Sequence, residues 1–248
     1  MVLLKSPSDI VRMRAANVIV AEVLAETQAL VVPGVTTLEL NRFAEERCLR
    51  KKAQPAFKGY RGYPFSLCTS VNNEVVHGMP SGRRLEAGDI LSLDFGVLHR
   101  GFYGDAAVTV PVGAITDEAR LLLDTTREAL YKGIGKCRPG GRLFDISAAI
   151  QERAESRGVS VVRYFVGHGI GRSLHEKPQV PNYGVAGQGL QLRSGMVLAI
   201  EPMLNMGGSE VKILPDGWTA VTADGSLSAH FEHSVAITDD GCQVLSEL

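Results

Sequence analysis

The sequence predicts an α+β fold in which two similar halves contribute helices and strands to one shared sheet. Two observations lead to this prediction. The order of helical and strand patterns in residues 8–110 recurs, approximately, in residues 116–240. In addition, the chain of 248 residues is 45% hydrophobic and 21% charged, which is typical of a folded globular protein with a sizeable core. We therefore expect residues 1–248 to form a single domain.

Two helices are predicted in each half. Apolar residues recur at helical spacing behind N-cap residues, and a Pro-Gly pair separates the two helices of each half. Pro33-Gly34 in the first half corresponds to Pro139-Gly140, 106 positions later. The predicted helices cover residues 8–30, 36–52, 116–133 and 143–156.

Each half continues with a short aliphatic strand that ends on a carboxylate. The segments GDILSLD and GMVLAIE, at residues 88–94 and 195–201, correspond and end in Asp94 and Glu201. A pseudo-two-fold axis between the halves would pair their sheets and leave the helices on the outside. The strands are therefore expected to be buried.

A hairpin and a histidine motif complete the predicted elements. Asp105 follows the turn-like segment HRGFYG and precedes AVTVPV, so a hairpin would bring Asp94 and Asp105 to one edge of the sheet. Glu232 lies in the alternating strand HFEHSVAI. His77-Gly78-Met79 in the first half matches His168-Gly169-Ile170 in the second.

Four carboxylates and one imidazole on these segments predict a metal site. Two negative charges ~4 Å apart repel by roughly 4 kcal/mol even at an effective dielectric constant of 20, so converging carboxylates require cations. Such oxygen-rich ligands suit Mn, Fe or Co and tolerate Zn. Two-metal sites hold a bridging water and activate it for hydrolysis. The candidate ligands are Asp94, Asp105, His168, Glu201 and Glu232.

Composition and motifs exclude several other classes of function. A net charge of −1 provides no basic surface for nucleic acid or for an anionic membrane. The sequence shows neither a signal peptide nor an apolar run of the ~18 residues that span a membrane. The protein is therefore expected in the cytoplasm. Dinucleotide, phosphate-loop and serine-hydrolase motifs are incomplete. The cysteines form no CxxC pair, which predicts four free thiols: Cys48, Cys68, Cys137 and Cys242.

These residues, in this order, resemble methionine aminopeptidase. The motifs VVHGMP, FVGHGIGRSLHEKPQVPNYG, LAIEPM and DGWTAV carry the resemblance over nearly the whole chain. Only 31 positions separate Glu201 from Glu232, which is similar to the type I enzymes. The resemblance implies the pita-bread fold, two pseudo-symmetric halves with a central antiparallel sheet covered by helices, as one catalytic domain.

The resemblance also implies an activity. Members of this family remove the initiator methionine when the second residue is small, by hydrolysis with a bridging metal-bound water or hydroxide. The implied cofactors are two divalent cations (Co, Mn, Fe or Zn). The implied partners are nascent polypeptides and peptides with N-terminal methionine, together with the ribosome, and the enzyme is expected to be a cytoplasmic monomer.

Roles for individual residues follow from the same resemblance. Asp94 would be a bidentate ligand of one metal, Asp105 and Glu232 bridging ligands, and His168 and Glu201 ligands of the other metal. Glu201 would also shuttle a proton, and it joins His77 and His175 as the expected catalytic residues. The expected methionine pocket is formed by Phe57, Tyr60, Tyr63, Cys68, Leu174 and Trp218, with His77 and His175 beside it.

Three histidines match no role in this family, namely His99, His230 and His233, and are expected to be surface or packing residues. The sequence also departs from the family pattern. Gly96, Ala106 and Ala199 replace hydroxyl residues that often stand beside the carboxylates in this family. Phe57 and Leu174 differ from the side chains that usually line the pocket. These departures bear on metal preference, turnover and selectivity.

Two rival functions share the predicted fold. A proline-specific peptidase has a similar metal set, but ordinarily carries a large additional N-terminal domain. A non-catalytic binding module for a peptide or ribosomal partner typically loses metal ligands, whereas all five are present in this chain.

Overall fold

Four α-helices form where the apolar spacing predicts them. The computed structural model describes residues 2–248, and its helices are α1 (Pro7–Gln28), α2 (Thr37–Arg50), α3 (Asp117–Ile134) and α4 (Leu143–Glu155). Hydroxyl side chains of Ser6, Thr36 and Thr116 cap the first three helices by accepting a backbone N–H three residues further on. Each helix begins and ends within two residues of its predicted position. None of the helices in residues 2–248 combines the length and the apolar character needed to cross a membrane.

The strands are short except in one long hairpin. In chain order they are β1 (Gln54–Pro55), β2 (Cys68–Val71), β3 (Glu74–Val76), β4 (Ile90–His99), β5 (Phe102–Pro111), β6 (Ser160–Val161), β7 (Gly167–Gly169), β8 (Glu176–Val180), β9 (Val197–Ile200), β10 (Met203–Asn205), β11 (Val211–Ile213), β12 (Ala220–Thr222), β13 (Ser228–His230), β14 (Glu232–Thr238) and β15 (Gly241–Val244). A short 3-10 helix covers Tyr60–Gly62.

The β4–β5 hairpin corrects one prediction. Asp94 does not end its strand, and Asp105 does not precede the next strand, since both lie inside the paired region. The ladder continues past them to a tight turn at Arg100 and Gly101, where both residues have positive φ. The two aspartates therefore lie on one face of the sheet rather than at its edge.

A central antiparallel sheet joins the two halves, as predicted. Its strand order is β1-β4-β5-β14-β9-β7-β8, with β2 also on β4 and β15 on β14. The halves meet where Glu232 lies opposite Ala107 and His233 opposite Ala106, and we call this contact the β5–β14 junction. Two smaller sheets, β13-β10-β6 and β11-β12-β3, flank the main one.

The two histidine motifs do not occupy equivalent positions in the halves. His168 lies on β7, which pairs directly with β9. His77 precedes a segment that bonds to β2 instead, because the Thr69 N–H donates to the Gly78 carbonyl. The predicted match between the two motifs is therefore wrong, although the matches of the helices and of β4 with β9 agree with the strand order.

Alternate residues of the sheet separate the helices from the opposite face. On β4 the side chains of Leu91, Leu93, Phe95 and Val97 pack with helices α1 and α2 in one apolar cluster. A second cluster lies beneath α3 and α4. Asp94 has the other parity on β4, so its side chain points away from the helices. The face without helices is thus the one that can hold a site.

Close contact between α1 and β5 fixes the position of one predicted ligand. The Asp105 N–H donates to the Asn17 side-chain carbonyl at 3.2 Å. A Cβ at Gly104 would lie 2.9 Å from the Asn17 backbone nitrogen. The helix can approach the strand this closely only because residue 104 has no side chain.

Replacing Gly104 by Ala should therefore destabilise the protein. We expect the free energy of unfolding to fall by about 1–3 kcal/mol, because α1 must move away from β5. Urea denaturation followed by circular dichroism would measure the change. Gly82→Ala is the matched control, since a Cβ there meets nothing within 4 Å. Equal stability of the two variants would contradict this account of the helix contact.

Candidate metal centre

Strand register places the first-half ligands and Glu232 on one face of the sheet. Asp94 and Glu232 both lie opposite Ala107, from either side of β5. Asp105 lies opposite Gly96, two residues from Asp94 and therefore on the same face. Residues opposite one another on antiparallel strands point to the same side, so the three carboxylates converge.

The second half brings the remaining ligands to the same face. Ser234, two residues after Glu232, lies opposite Ala199, which in turn lies opposite His168. Glu201 follows Ala199 by two residues, just beyond the end of β9. All five predicted ligands therefore share the face that is free of helices.

The ligand atoms are close enough to share cations. Asp105, His168 and Glu232 are buried, and each offers an atom within 4.8 Å of the other two. His168 Nε2 lies 3.5 Å from Glu201 Oε1. Two atoms bound at about 2.1 Å to one tetrahedral ion lie about 3.4 Å apart, so this pair already has the spacing of ligands to a common metal.

Burial makes the carboxylates costly without a cation. Burial raises the pKa of Asp94 to about 7 and that of Glu201 to about 8. Burial and the neighbouring carboxylates raise the pKa of Asp105 and Glu232 well above the usual range. Within residues 2–248, Asp94 Oδ1, Asp105 Oδ1 and Glu232 Oε1 are buried and accept no hydrogen bond.

The imidazole is in the form that binds metal. Burial and the nearby His175 lower the pKa of His168 to about 3, so its ring is neutral near pH 7. Its Nδ1 lies 2.9 Å from the Gly169 carbonyl, which leaves Nε2 toward the carboxylates. Unpartnered acidic oxygens beside a neutral imidazole fit divalent cations.

One cavity of about 140 Å³ joins the metal ligands to the predicted pocket. This volume is smaller than the about 300–1,000 Å³ of pockets for drug-sized ligands, and suits one amino-acid side chain. The structure brings every predicted site residue to this cavity, together with Arg61, which sequence reasoning missed. Its lining is Phe57, Tyr60, Arg61, Tyr63, Cys68, His77, Asp94, Asp105, His168, Leu174, His175, Glu201, Trp218 and Glu232.

Hydrogen bonds and ring packing hold the apolar wall of the cavity in place. The Tyr63 hydroxyl can donate a hydrogen bond to either of two backbone carbonyls, that of Leu67 at 3.2 Å or that of Gly78 at 3.1 Å. Its ring meets Trp218 edge to face, with centroids 5.1 Å apart. A Cβ at residue 96 would lie 2.7 Å from Phe57 Cε1, so Gly96 is what admits Phe57 beside the ligands.

Two further histidines face the cavity in different settings. His77 adopts a positive φ of 59°, which is unusual for a side chain of its size. His175 is exposed and stacks on Tyr60 at 5.3 Å. The Tyr60 hydroxyl lies 2.9 Å from His175 Nδ1, so the Nε2 atom remains available to a ligand.

A buried ion pair supports the loop that carries Leu174 and His175. The Lys5 ammonium donates to Glu176 Oε2 at 2.5 Å, and both side chains are buried. Glu176 Oε1 accepts the Arg172 N–H at 2.8 Å. Sequence reasoning gave no role to Lys5, because no local pattern connects it to a loop 171 positions away.

Sequence reasoning also missed His230. It is 1% exposed, and its Nε2 lies 3.6 Å from Glu201 Oε2. A signal was present, since His230 stands two residues before Glu232 in an alternating strand pattern. His99 and His233 lie away from the cavity, near the Lys52 carbonyl and Tyr131 respectively, and fit the predicted surface or packing role.

Known proteins resemble this chain both in sequence and in structure. The model of metallopeptidase family M24 matches residues 11–239. The chain is 53% identical over 246 residues to the methionine aminopeptidase of Clostridium perfringens, covering 99% of each chain. A crystal structure of methionine aminopeptidase from Thermotoga maritima superposes with a TM-score of 0.99 at 48% identity, covering 100% of each chain.

A more distant structure shows the shared fold alone. The prolidase of Pyrococcus furiosus superposes with a TM-score of 0.81 at 21% identity, and this chain covers 65% of the prolidase chain. Together with the Thermotoga maritima structure, it confirms the predicted pita-bread fold.

Proposed function

Because the chain belongs to metallopeptidase family M24, we propose that its five clustered ligands hold two divalent cations beside a pocket for methionine. The chain is a metal-dependent aminopeptidase that removes N-terminal methionine, as its sequence motifs predict. The observation that carries the two-metal proposal is the single cavity that joins the acidic ligands to an aromatic wall.

The donor set divides between two cations. Asp94 would bind one of them, His168 and Glu201 would bind the other, and Asp105 and Glu232 would bridge both. Their oxygens and one nitrogen suit Co, Mn, Fe or Zn. When bound, the cations supply Lewis acidity for the scissile carbonyl and lower the pKa of a water molecule.

Glu201 is suited to move the proton of the attacking water. Its carboxylate lines the cavity beside the other ligands, so it is placed to accept a proton from the water and release it again. We propose that it delivers this proton to the leaving amine.

His77 and His175 contact the substrate amide and the tetrahedral intermediate in this proposal. The Tyr60 hydroxyl orients His175 through Nδ1, and a neutral imidazole then presents its Nε2 to the peptide. Partial burial, His230 and His175 lower the pKa of His77 to about 4, so His77 is also neutral at the cavity.

The wall of the cavity selects the N-terminal residue that is removed, through its side chain. Burying methionine against Phe57, Leu174 and Trp218 contributes roughly 1.5–3 kcal/mol, and contact of its sulfur with an aromatic ring adds up to about 1.5 kcal/mol. A β-branched side chain would clash with this wall, and a charged one would lose water without gaining a partner. We propose that Tyr60 and His175 also limit the second residue to a small one.

Release of free methionine from Met-Ala-Ser should therefore exceed release of leucine from Leu-Ala-Ser. We expect a ratio of kcat/KM between about 10 and 200, the range for small differences of apolar side chain in a fitted pocket. Met-Lys-Ser and Met-Phe-Ser should be poor substrates. The assay uses Mn-loaded enzyme, with a chelator-treated sample as control.

Two results would reject parts of this function. Equal cleavage of Leu-Ala-Ser and Met-Ala-Ser would leave a general aminopeptidase. Faster cleavage of Ala-Pro than of Met-Ala-Ser would favour a proline-specific enzyme, the alternative that shares the fold.

The cellular setting is proposed on the same basis. Nascent polypeptides and peptides with N-terminal methionine would be the substrates, met at the ribosome or free. The four cysteines are unpaired, which supports a reducing compartment such as the cytoplasm. We propose that the enzyme works there as a monomer, since one chain supplies the whole cavity.

A further inference from the structure

We propose that His230 is a positioning residue of the metal centre, whose Nε2–H holds the second oxygen of Glu201. This inference rests on the proposed function only in taking Glu201 as a ligand. His230 itself belongs to none of the predicted ligand or substrate positions.

The His230 side chain is buried without a hydrogen-bond partner in the described part of the chain. Within residues 2–248 neither Nδ1 nor Nε2 has a hydrogen-bond partner, and the residue is 1% exposed. Leaving both nitrogens of a buried imidazole unpartnered costs free energy, so its placement requires a reason. The nearest acidic oxygen is Glu201 Oε2, at 3.6 Å from Nε2.

The backbone of His230 is firmly held. The Thr109 hydroxyl donates to the His230 carbonyl at 2.7 Å and accepts the His230 N–H at 2.9 Å. Because the Thr109 hydrogen is used in this way, the Ser92 hydroxyl donates to Thr109, at 2.8 Å. His230 also pairs with Met203, two residues beyond Glu201. The imidazole is therefore carried by a rigid frame that spans both halves.

The two oxygens of Glu201 face different histidines. Oε1 lies 3.5 Å from His168 Nε2, and Oε2 lies 3.6 Å from His230 Nε2. An ionised carboxylate only accepts hydrogen bonds, so His230 must carry its proton on Nε2 to bond it. The present separation is about 0.5 Å longer than such a bond. Closing it would fix the plane of the carboxylate while Oε1 binds metal, which is how outer partners tune a metal site.

The test compares three replacements at position 230. His230→Gln keeps an N–H donor at the reach of Nε2, His230→Asn keeps the same amide on a shorter side chain, and His230→Leu removes the donor. Calorimetric titration of Mn²⁺ into metal-free enzyme gives affinity and stoichiometry, and Met-Ala-Ser turnover gives kcat and KM. His233→Gln, on the opposite face of the sheet, is the matched control.

We expect His230→Leu to weaken Mn²⁺ binding by about 10–100-fold and to lower kcat by a similar factor, with KM nearly unchanged. His230→Gln should stay within about threefold of wild type in both measurements, whereas His230→Asn should resemble His230→Leu. The melting temperature of metal-free His230→Leu should equal or exceed that of wild type, because an unpartnered polar group has been removed.

Two outcomes would overturn the proposal. Wild-type Mn²⁺ affinity and kcat in both His230→Leu and His230→Asn would make His230 a space-filling residue. Loss in His230→Gln equal to that in His230→Asn would show that a reaching N–H donor is not what matters, and this comparison decides even if His230→Leu fails to fold. Failure of the proposed function is distinct, because it would appear as Mn²⁺ binding by wild type without methionine release.

Discussion

Replacing Glu232 by Gln should lower kcat/KM for Met-Ala-Ser by about a thousandfold or more. An amide oxygen carries no formal charge and bridges two cations poorly, so several kcal/mol of charge stabilisation are lost, at about 1.4 kcal/mol per tenfold. Exhaustive chelation of wild type should have an equally large effect, which added Mn or Co should reverse. Peptide turnover and calorimetric metal titration would measure both losses.

The same variant should fold without difficulty. Burial, together with the charges of Asp105, Glu201 and Asp94, raises the pKa of Glu232 well above the usual range. Replacing Glu232 removes one acidic group from this cluster and should leave the metal-free protein at least as stable as wild type in thermal melting. Glu210→Gln, at an exposed glutamate, is the control. Activity that survives chelation, or a Glu232→Gln enzyme near wild-type activity, would refute the metal centre.

His175→Ala and His77→Ala should each lower kcat by roughly 10²–10⁴-fold. Each change removes one positioned acid–base or oxyanion donor, and this is the usual size of such a loss. Neither imidazole is a proposed ligand, so metal content measured by atomic absorption should stay near wild type. Single-turnover kinetics would separate the chemical step from substrate binding.

Two controls define what these histidines do. His99→Ala changes an imidazole away from the cavity and should leave kcat unchanged. Tyr60→Phe keeps the ring stacked on His175 but removes the hydroxyl at Nδ1, so a smaller loss, of about tenfold, is expected. If His175→Ala lost metal together with activity, its role would be structural support of the centre instead.

The five metal ligands could be predicted because they follow local patterns, whereas the roles of His77, His175 and the pocket residues were implied by the family resemblance. Asp94 and Glu201 end or interrupt aliphatic runs, and Glu232 stands in an alternating strand, so the sequence predicted that the carboxylates converge, but at an edge of the sheet and not on its face. The helices were predictable from apolar spacing and from their capping residues. The patterns could not predict the exact strand length. Apolar residues stand on both sides of Asp94, and β4 continues beyond it.

The remaining features depend on contacts between distant segments. Lys5 forms an ion pair with Glu176, and Thr109 hydrogen-bonds to the backbone of His230. These residues are so far apart in the sequence that no periodic pattern predicts the contacts. The sequence match between the two His-Gly motifs was also misleading. The His168 motif pairs with β9, whereas the segment after His77 bonds to β2. Close approaches such as Gly96 to Phe57 become visible only when the strands are placed.

The β5–β14 junction has a consequence for how such a centre could originate. One half supplies Asp94 and Asp105, and the other supplies His168, Glu201 and Glu232, so neither half encloses a cation alone. A solitary half would expose β5, with Ala106 and Ala107, as an unpaired sheet edge. It would therefore have to join a second copy before any site existed. If the two halves arose from one ancestral copy, fusion into one chain would make that assembly independent of concentration and would let the copies diverge, one toward paired aspartates and the other toward histidine and glutamate.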